Sequence, residues 1–173
     1  GFEILFATDF NHECCETLKI NAGNTLNPNL VVEECDITTM NFDVLPQNID
    51  MIIGGPPCQS FSASGRRAGG AAGKLDKRGN LFKSYCEVVD FLKPKAFLFE
   101  NVRGILGTNK GKDFEDIVSA FAALGYHIDY RILDAEDYGV PQQRERMFIV
   151  GHKLEHTFLY PRPVFGPDSI DKV

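Results

Sequence analysis

Short apolar runs alternate with segments of helical periodicity along this chain. Runs such as Met51–Ile53 and Ala96–Phe99 have the length and composition of buried strands. Between such runs, apolar residues recur at positions i, i+3, i+4 and i+7, which is the spacing of one helix face. This alternation excludes all-helical and all-β folds. It predicts an α/β domain in which helices connect the strands of a mostly parallel sheet.

The element boundaries follow from apolar periodicity and from residues that stop helices. The predicted strands span residues 3–8, 30–35, 49–54, 96–100, 127–133 and 147–151. The predicted helices span residues 11–22, from about 80 to 92, and from 113 to 124, with Asp113 as the N-terminal cap of the third helix. The continuous run Met51-Ile52-Ile53 predicts a strand buried on both faces of the sheet.

The composition narrows the class of protein. A chain of 173 residues is long enough to form one domain with its own core. The five cysteines are odd in number and include no CxxC pair or zinc-ligand spacing. No apolar run approaches the roughly 18 residues of a membrane span, and no leader opens the chain. We therefore expect a reduced, intracellular protein without metal or membrane contacts, cytoplasmic in a bacterium or nuclear in a eukaryote.

Charge is distributed unevenly. The whole chain carries a formal net charge of -6, which by itself disfavours a nucleic-acid partner. The segment from Ser60 to Lys83, however, contains six basic residues and a single acid, Asp76. This segment is also rich in Ser, Gly and Ala and lacks apolar periodicity from Cys58 to Gly79, which is typical of a mobile functional loop. Two interpretations stay open: a loop that closes on a polyanion, and a solvated surface loop.

The two ends of the chain indicate its domain organisation. Residues 1–153 are expected to form one partial domain, and residues 154–173 are rich in proline and are expected to form an exit segment. The sequence begins at Gly1 with residues that already have the pattern of a buried strand. We therefore expect a piece of a longer protein.

Two carboxylates close consecutive predicted strands. Asp9 follows the first strand and Asp36 follows the second. In open α/β sheets, ligands bind beyond the carboxyl ends of the strands, and carboxylates there can accept hydrogen bonds from a ribose diol or an adenine amino group. The alternative is that both residues cap turns, as carboxylates at strand ends often do.

A cysteine follows two prolines at the end of the third predicted strand. The prolines restrict the backbone, so Cys58 is expected to be held rigidly at the sheet edge. The basic loop that begins after it would stabilise a thiolate, which favours a nucleophile. The alternative is a buried cysteine that acts as a small apolar residue.

The remaining candidate residues are one acid, Glu100, and two arginines, Arg144 and Arg146. Glu100 ends the apolar run Ala96–Phe99, where desolvation is expected to raise the pKa of a carboxyl group so that it can donate a proton. Alternation along the last strand sends Arg144 and Arg146 to the same side. The alternatives are a Glu100 that forms a salt bridge with a neighbour, and an Arg-Glu-Arg run that forms a surface ladder of ion pairs.

The segments that carry these residues resemble, in order, the signature motifs of DNA (cytosine-5)-methyltransferases. The motifs are Gly55-Pro56-Pro57-Cys58-Gln59-Ser60-Phe61-Ser62, Glu100-Asn101-Val102 and Gln142-Gln143-Arg144-Glu145-Arg146, and the pairs Asp9-Phe10, Asp36-Ile37 and Leu81-Phe82 are similar to further family positions. The resemblance runs from Gly1 to about Gly151. It implies a Rossmann-like methyltransferase sheet, mostly parallel, with an antiparallel C-terminal strand.

The resemblance also implies an activity. Family members transfer a methyl group from S-adenosylmethionine to carbon 5 of a cytosine that is rotated out of double-stranded DNA, and many belong to restriction-modification systems. In this chain Cys58 would form the covalent adduct with the cytosine. Glu100 would hold N3 and the exocyclic amine, while Arg146 and Arg144 would bind O2.

The remaining family positions imply binding roles. Asp9 would hold the ribose hydroxyls and Asp36 the adenine amine, with Phe10 and Ile37 on either side of the ring. Pro57 and Leu81 would also belong to the cofactor site. The residues implied to face the nucleic acid are Gln59, Ser62, Ser64, Arg66, Arg67 and Asn101.

Two family elements have no counterpart in this sequence. The family's first strand with its glycine-rich loop is expected before Gly1, and its target-recognition domain after Val173. We therefore expect a partial catalytic domain that a missing segment or a second chain completes. Two other functions stay open: a cytosine-5 methyltransferase that acts on transfer RNA, and a non-catalytic regulatory or split-enzyme subunit of the same fold.

Overall fold

The computed structural model describes residues 1–57 and 81–166. The chain divides into two compact units, Gly1–Ile49 and Asp50–Val173, each with its own sheet. The loop predicted from Cys58 to Gly79 lies entirely outside the described residues. The helices within the described ranges are too short or too polar to cross a bilayer.

The first unit is a β-α-β arrangement. Strand β1 (Phe6–Asp9) pairs in parallel with β2 (Val31–Glu34), and helix α1 (His12–Asn21) connects them. Asn11 caps α1, because its side chain accepts a hydrogen bond from the backbone N–H of Cys14 at 3.1 Å. The predicted strands and helix are confirmed, although β1 begins three residues later than expected and is only partly buried.

The second unit contains a four-stranded sheet and two longer helices. Its elements are β3 (Met51–Gly54), α2 (Leu81–Leu92), β4 (Ala96–Val102), α3 (Lys112–Ala123), β5 (His127–Asp134) and β6 (Glu145–His152). The strand order is β3-β4-β6-β5. Strands β3 and β4 are parallel, whereas β6 runs antiparallel to both of its neighbours. The α/β fold with a reversed C-terminal strand is therefore confirmed.

An aromatic core lies between one face of this sheet and the two helices. Phe97 and Phe99 of β4 are fully buried, as is Phe121 of α3. The Phe97 and Phe121 rings lie 4.4 Å apart between centroids, and Tyr85 of α2 meets both at an edge. Alternation along β4 points Phe97 and Phe99 to the helices and leaves Leu98 and Glu100 on the opposite face.

Two details of the sequence-based prediction are wrong. The N-cap of α3 is Gly111 at φ 91°, and Asp113 lies within the first turn, where its negative charge still favours the helix dipole. The chain turns there through the positive φ angles of Asn109, Lys110 and Gly111, a geometry that helix signals do not encode. Ile53 is 63% exposed rather than buried, because it points away from the aromatic core on a strand at the edge of the four-stranded sheet.

The segment after β6 packs on the sheet instead of extending from it. The Tyr160 hydroxyl donates to the carbonyl oxygens of Asp129 and Phe148, at 3.2 and 3.0 Å. The backbone N–H groups of Val164 and Phe165 both donate to the Asp137 carbonyl oxygen. Up to residue 166 this segment is therefore part of the second unit. Its role as an exit toward a further domain stays a prediction.

Candidate active site

An acid and an arginine form an ion pair at the carboxyl end of β4. Glu100 Oε1 lies 3.0 Å from Arg146 Nε. The register pairs Val102 with Arg146, and Glu100 with Phe148, so the two side chains are diagonal neighbours on one face of the sheet. The side chain of Glu100 is 33% exposed, and that of Arg146 is 24% exposed. This partial exposure leaves both groups accessible to a ligand.

The surroundings of Glu100 differ from the sequence-based expectation. An apolar environment was expected from the run Ala96–Phe99, but the buried rings of Phe97 and Phe99 lie on the other face of β4. The carboxylate faces the guanidinium of Arg146 instead. The salt bridge that the sequence left open as an alternative is therefore what forms. The attraction between these two opposite charges holds the carboxylate in place.

The turn that leads to Cys58 lies against Glu100 and Asn101. The Asn101 side-chain amide donates to the Pro56 carbonyl oxygen at 3.2 Å, and Asn101 is 4% exposed. A Cβ atom at Gly55 would lie 3.1 Å from Glu100 Oε2, so any larger residue there would press on the Glu100 carboxylate. The buried amide and the small residue together fix the turn beside the ion pair.

Several predicted site residues fall outside the described part of the chain. These are Cys58, Gln59, Ser62, Ser64, Arg66 and Arg67. Pro57, which directly precedes Cys58, is described and exposed, and Leu81 opens α2 and is half-buried. Within residues 1–57 and 81–166, no group of three or more His, Cys, Asp or Glu residues could hold a metal ion.

Arg144 does not share the position of Arg146. It precedes β6, its side chain is exposed, and its backbone N–H donates to Asp134 Oδ1 at 2.8 Å. The ion pair of Glu100 is formed with Arg146. The structure thus brings one of the two predicted arginines to the acid, and the role predicted for Arg144 stays a prediction.

A second ion pair beside the first was not predicted from the sequence. Arg103 Nη1 lies 2.6 and 2.7 Å from the two carboxylate oxygens of Glu145. The hydrogen bond and charge of Glu145 raise the pKa of Arg103 further. One alternative for Glu145 is an Arg-Glu-Arg ladder of ion pairs with its neighbours, but its partner lies 42 positions away. Only the register of β4 with β6 could have revealed this pair.

One of the described cysteines, Cys86, has an unreactive thiol. Cys86 lies on α2, where burial, followed by the charge of Glu87, raises its pKa to about 12. A thiol with such a pKa is almost entirely protonated at neutral pH and is a poor nucleophile. Among the described cysteines, Cys86 is therefore excluded as a catalytic group.

In the first unit, both predicted carboxylates hold turns at the ends of strands. Asp9 Oδ1 accepts a hydrogen bond from the Asn11 N–H at 2.8 Å. Asp36 Oδ1 accepts from the Thr38 N–H at 2.9 Å and from its hydroxyl at 2.8 Å. These two hydrogen bonds lower the pKa of Asp36, and the bond from the backbone N–H of Thr38 has the larger effect. Each of these turns uses Oδ1, which leaves Oδ2 available for a ligand.

Apolar side chains accompany the two carboxylates. Phe10 follows Asp9 and is 73% exposed, and Ile37 follows Asp36 and is half-buried. The parallel register of β1 with β2 places Asp9 opposite Glu34, two residues before Asp36. The unit therefore presents two carboxylates and an exposed aromatic ring at the carboxyl end of adjacent strands, which is where α/β sheets bind ligands.

A histidine contact at this edge was also missed. His12 Nδ1 lies 2.7 Å from Glu34 Oε2, and both side chains are exposed. The hydrogen bond to Glu34, followed by its charge, raises the pKa of His12. A lone histidine at the start of a helix gives no sequence signal of its partner, because the contact depends on the position of α1 over β2.

Comparisons with known proteins point to one family. Residues 1–166 match the family described as C-5 cytosine-specific DNA methylase. The chain is 40% identical over 184 residues to the Type II methyltransferase M.AquIA of Picosynechococcus sp., covering 98% of this chain and 71% of that protein. It is 38% identical to the Type II methyltransferase M.NgoFVII of Neisseria gonorrhoeae, covering 94% of this chain and 41% of that protein.

Solved structures support the same fold. A DNA modification methyltransferase encoded within an E. coli prophage superposes with a TM-score of 0.69 at 30% identity, covering 88% of this chain and 41% of that one. A Spodoptera frugiperda DNMT2 variant superposes with a TM-score of 0.65 at 24% identity, which supports the fold alone. The chain spans less than half the length of most of these relatives.

Proposed function

Because the chain belongs to the C-5 cytosine-specific DNA methylase family, we propose that the protein containing it transfers a methyl group from S-adenosylmethionine to carbon 5 of cytosine in double-stranded DNA. The observation that carries this proposal is the Glu100–Arg146 ion pair beside the Pro56-Pro57 turn. The ion pair presents an acceptor and several donors together, as recognition of one base edge requires.

The residues of the first unit fit the proposed cofactor. Asp9 and Asp36 each retain a carboxylate oxygen, which suits the hydroxyls of a ribose and the amine of an adenine. Phe10 presents an exposed ring on which a flat base can stack. When bound, S-adenosylmethionine supplies an electrophilic methyl group on a positively charged sulfur.

Cys58 is the proposed nucleophile. Carbon 5 of cytosine reacts poorly with electrophiles, so the thiolate of Cys58 adds to carbon 6 and the electrons of the 5,6 double bond make carbon 5 nucleophilic. After carbon 5 gains the methyl group, a base removes its proton. The bond between sulfur and carbon 6 then breaks, which restores the double bond and releases Cys58.

Glu100 and Arg146 stabilise the base while its charge changes. The guanidinium of Arg146 donates to the cytosine O2, where negative charge develops during thiolate addition. Glu100 donates a proton to N3 as the thiolate adds to carbon 6, and it accepts a hydrogen bond from the exocyclic amine. Because the ion pair already orients both groups, little reorganisation is needed when the base binds.

Addition of the thiolate to carbon 6 requires the cytosine to leave the DNA double helix. Carbon 6 is not accessible to a thiolate within a stacked duplex, so the base rotates out into the site. The basic segment with Ser62, Ser64, Arg66 and Arg67 supplies positive charge for the DNA phosphates, and Gln59 adjoins the nucleophile. Asn101 contributes through the Pro56 carbonyl by holding the turn.

Methyl transfer to two polymers tests this function. The full-length protein is incubated with radiolabelled S-adenosylmethionine and either duplex DNA or transfer RNA, and the product nucleosides are identified by mass spectrometry. We expect 5-methylcytosine in DNA. Replacement of Glu100 by Gln should slow transfer about 100-fold, as expected when a group that stabilises developing charge is lost.

A matched control separates this effect from a general loss of surface charge. Lys95 and Asp50 form an exposed ion pair at the other end of β4, and Lys95→Gln should retain the wild-type rate within about twofold. Methylation of transfer RNA alone would contradict the proposed substrate. Absence of methyl transfer to either polymer would favour a non-catalytic subunit.

A further inference from the structure

The pair formed by Arg103 and Glu145 lies next to the proposed catalytic pair. The β4–β6 ladder ends with Val102 opposite Arg146, and one further register step places Arg103 opposite Glu145. Arg103 Nη1 contacts both carboxylate oxygens of Glu145, at 2.6 and 2.7 Å, in short charge-assisted hydrogen bonds. The pair therefore fastens the first residue of β6 to the chain just after β4.

A continuous set of contacts connects this pair to Glu100. The Glu145 side chain is held by Arg103, and the Glu145 backbone carbonyl accepts a hydrogen bond from Arg146 Nη1 at 2.8 Å. Arg146 Nε in turn lies 3.0 Å from Glu100 Oε1. The orientation of the Arg146 guanidinium thus depends on the position of one carbonyl group, which Arg103 helps to fix.

The other edge of β6 is also held at this point. Asp134 of β5 pairs with Glu145 in the strand register, and Asp134 Oδ1 accepts the backbone N–H of Arg144 at 2.8 Å. The start of β6 is therefore restrained from both neighbouring strands. The Arg103 contact is the restraint on the side of Glu100.

We propose that Arg103 is a positioning residue that acts through Glu145 to orient Arg146 for the target cytosine. This inference rests on the proposed function. Exposed ion pairs add little to stability, so the main effect of this pair is expected on the rate. A small displacement of a group that contacts the reacting base lowers the rate strongly, whereas ground-state binding is affected less.

The first experiment compares variants at the two ends of β4 in the full-length protein. Single-turnover methyl transfer to duplex DNA is measured for Arg103→Gln, Glu145→Gln and the control Lys95→Gln. Lys95 forms the same kind of exposed pair with Asp50, and its position in the chain is roughly 26 Å from that of Arg103 along the strand. We expect a rate about tenfold lower for the first two variants and a change of less than about twofold for the control.

The second experiment asks whether Arg103 acts through Arg146. In the Arg146→Gln background, the additional change Arg103→Gln should have almost no further effect on the rate. Undiminished tenfold losses in that background would mean that Arg103 acts elsewhere, and would overturn the proposal. The Nε–Hε NMR signal of Arg146 gives a readout without turnover, and Arg103→Gln should shift or broaden it while Lys95→Gln should not.

The outcomes distinguish this inference from the proposed function. If the wild-type protein transfers no methyl group to DNA, the proposed function fails. If the wild type is active and Arg103→Gln has the wild-type rate and an unchanged Arg146 signal, only the positioning role is contradicted. Arg103→Lys keeps the charge but replaces the rigid planar guanidinium with a flexible ammonium group, so its rate should lie between those of wild type and Arg103→Gln.

Discussion

The two units hold their candidate residues by different means. In residues 1–49, Asp9 and Asp36 are fixed by hydrogen bonds to groups only two positions away. In the second unit, Glu100 and Arg146 are brought together from different strands, and the supporting pair joins residues 42 positions apart. The proposed cofactor residues thus depend on local turns, and the proposed catalytic residues depend on the pairing of the sheet.

The two units also differ in how many apolar side chains they bury. Within residues 1–49, the buried apolar residues are Cys15 and Leu45, and Ile20 and Phe10 are largely exposed. The second unit encloses a cluster of aromatic and aliphatic side chains between its sheet and two helices. A site that depends on strand register requires such a core, because the core holds the strands in that register.

The largest expected effect comes from the aromatic core. Phe121→Ala removes a fully buried ring that contacts Phe82, Tyr85, Phe97 and Phe99, and should lower the free energy of unfolding by about 3–5 kcal/mol. The matched change in the first unit is Ile20→Ala, at a side chain that is 70% exposed, with an effect below about 0.5 kcal/mol. Urea denaturation measures both, and similar losses would contradict the contrast between the units.

The close contact of β3 with α2 gives the next effect. A Cβ atom at Gly54 would lie 2.5 Å from the Tyr85 ring, so Gly54→Ala should destabilise the protein by about 1–3 kcal/mol. Gly107→Ala is the control, since a Cβ atom there meets nothing within 4 Å. If the alanine at position 54 cost no more than the alanine at position 107, β3 would not be packed as described.

Because a local turn holds Asp36, removal of its charge should change the stability of the first unit little and weaken cofactor binding instead. Asp36→Asn keeps an oxygen for the Thr38 N–H but removes the carboxylate, so we expect about tenfold weaker binding of S-adenosylmethionine with little change in stability. Asp43→Asn, another exposed site in this unit, is the control. Because Thr38 lowers the pKa of Asp36, this carboxylate stays ionised from pH 5 to 8 and should add no pH dependence to binding. Calorimetric titration measures both variants, and equal affinities of Asp36→Asn and wild type would remove Asp36 from the proposed cofactor site.

The smallest expected effect concerns His12. Glu34 raises its pKa above the ordinary value of 6.5, so the pair stabilises the folded unit fully below that value. The stabilisation is lost as pH rises through the higher pKa of the folded state. An NMR titration should show the midpoint of His12 falling toward 6.5 in Glu34→Gln. An unchanged midpoint would show that Glu34 does not hold the imidazole.

The sequence predicted the elements better than their pairing. Apolar runs located every strand in the described ranges, and the family resemblance selected Glu100 and Arg146 individually. Local signals failed where the backbone is unusual, as at Gly111, where positive φ angles displaced the predicted cap from Asp113. They also could not find the partner of Arg103, because a contact across 42 positions depends on the register of β4 with β6.

Covalent trapping tests the central claim most directly. The full-length protein is mixed with S-adenosylmethionine and duplex DNA that contains 5-fluorocytosine, in which the fluorine prevents the release step that normally requires loss of the proton from carbon 5. We predict a denaturant-resistant adduct whose mass maps to Cys58, strongly reduced in Glu100→Gln and absent in Cys58→Ala. An active enzyme that forms no adduct, or an adduct that persists in Cys58→Ala, would contradict the account.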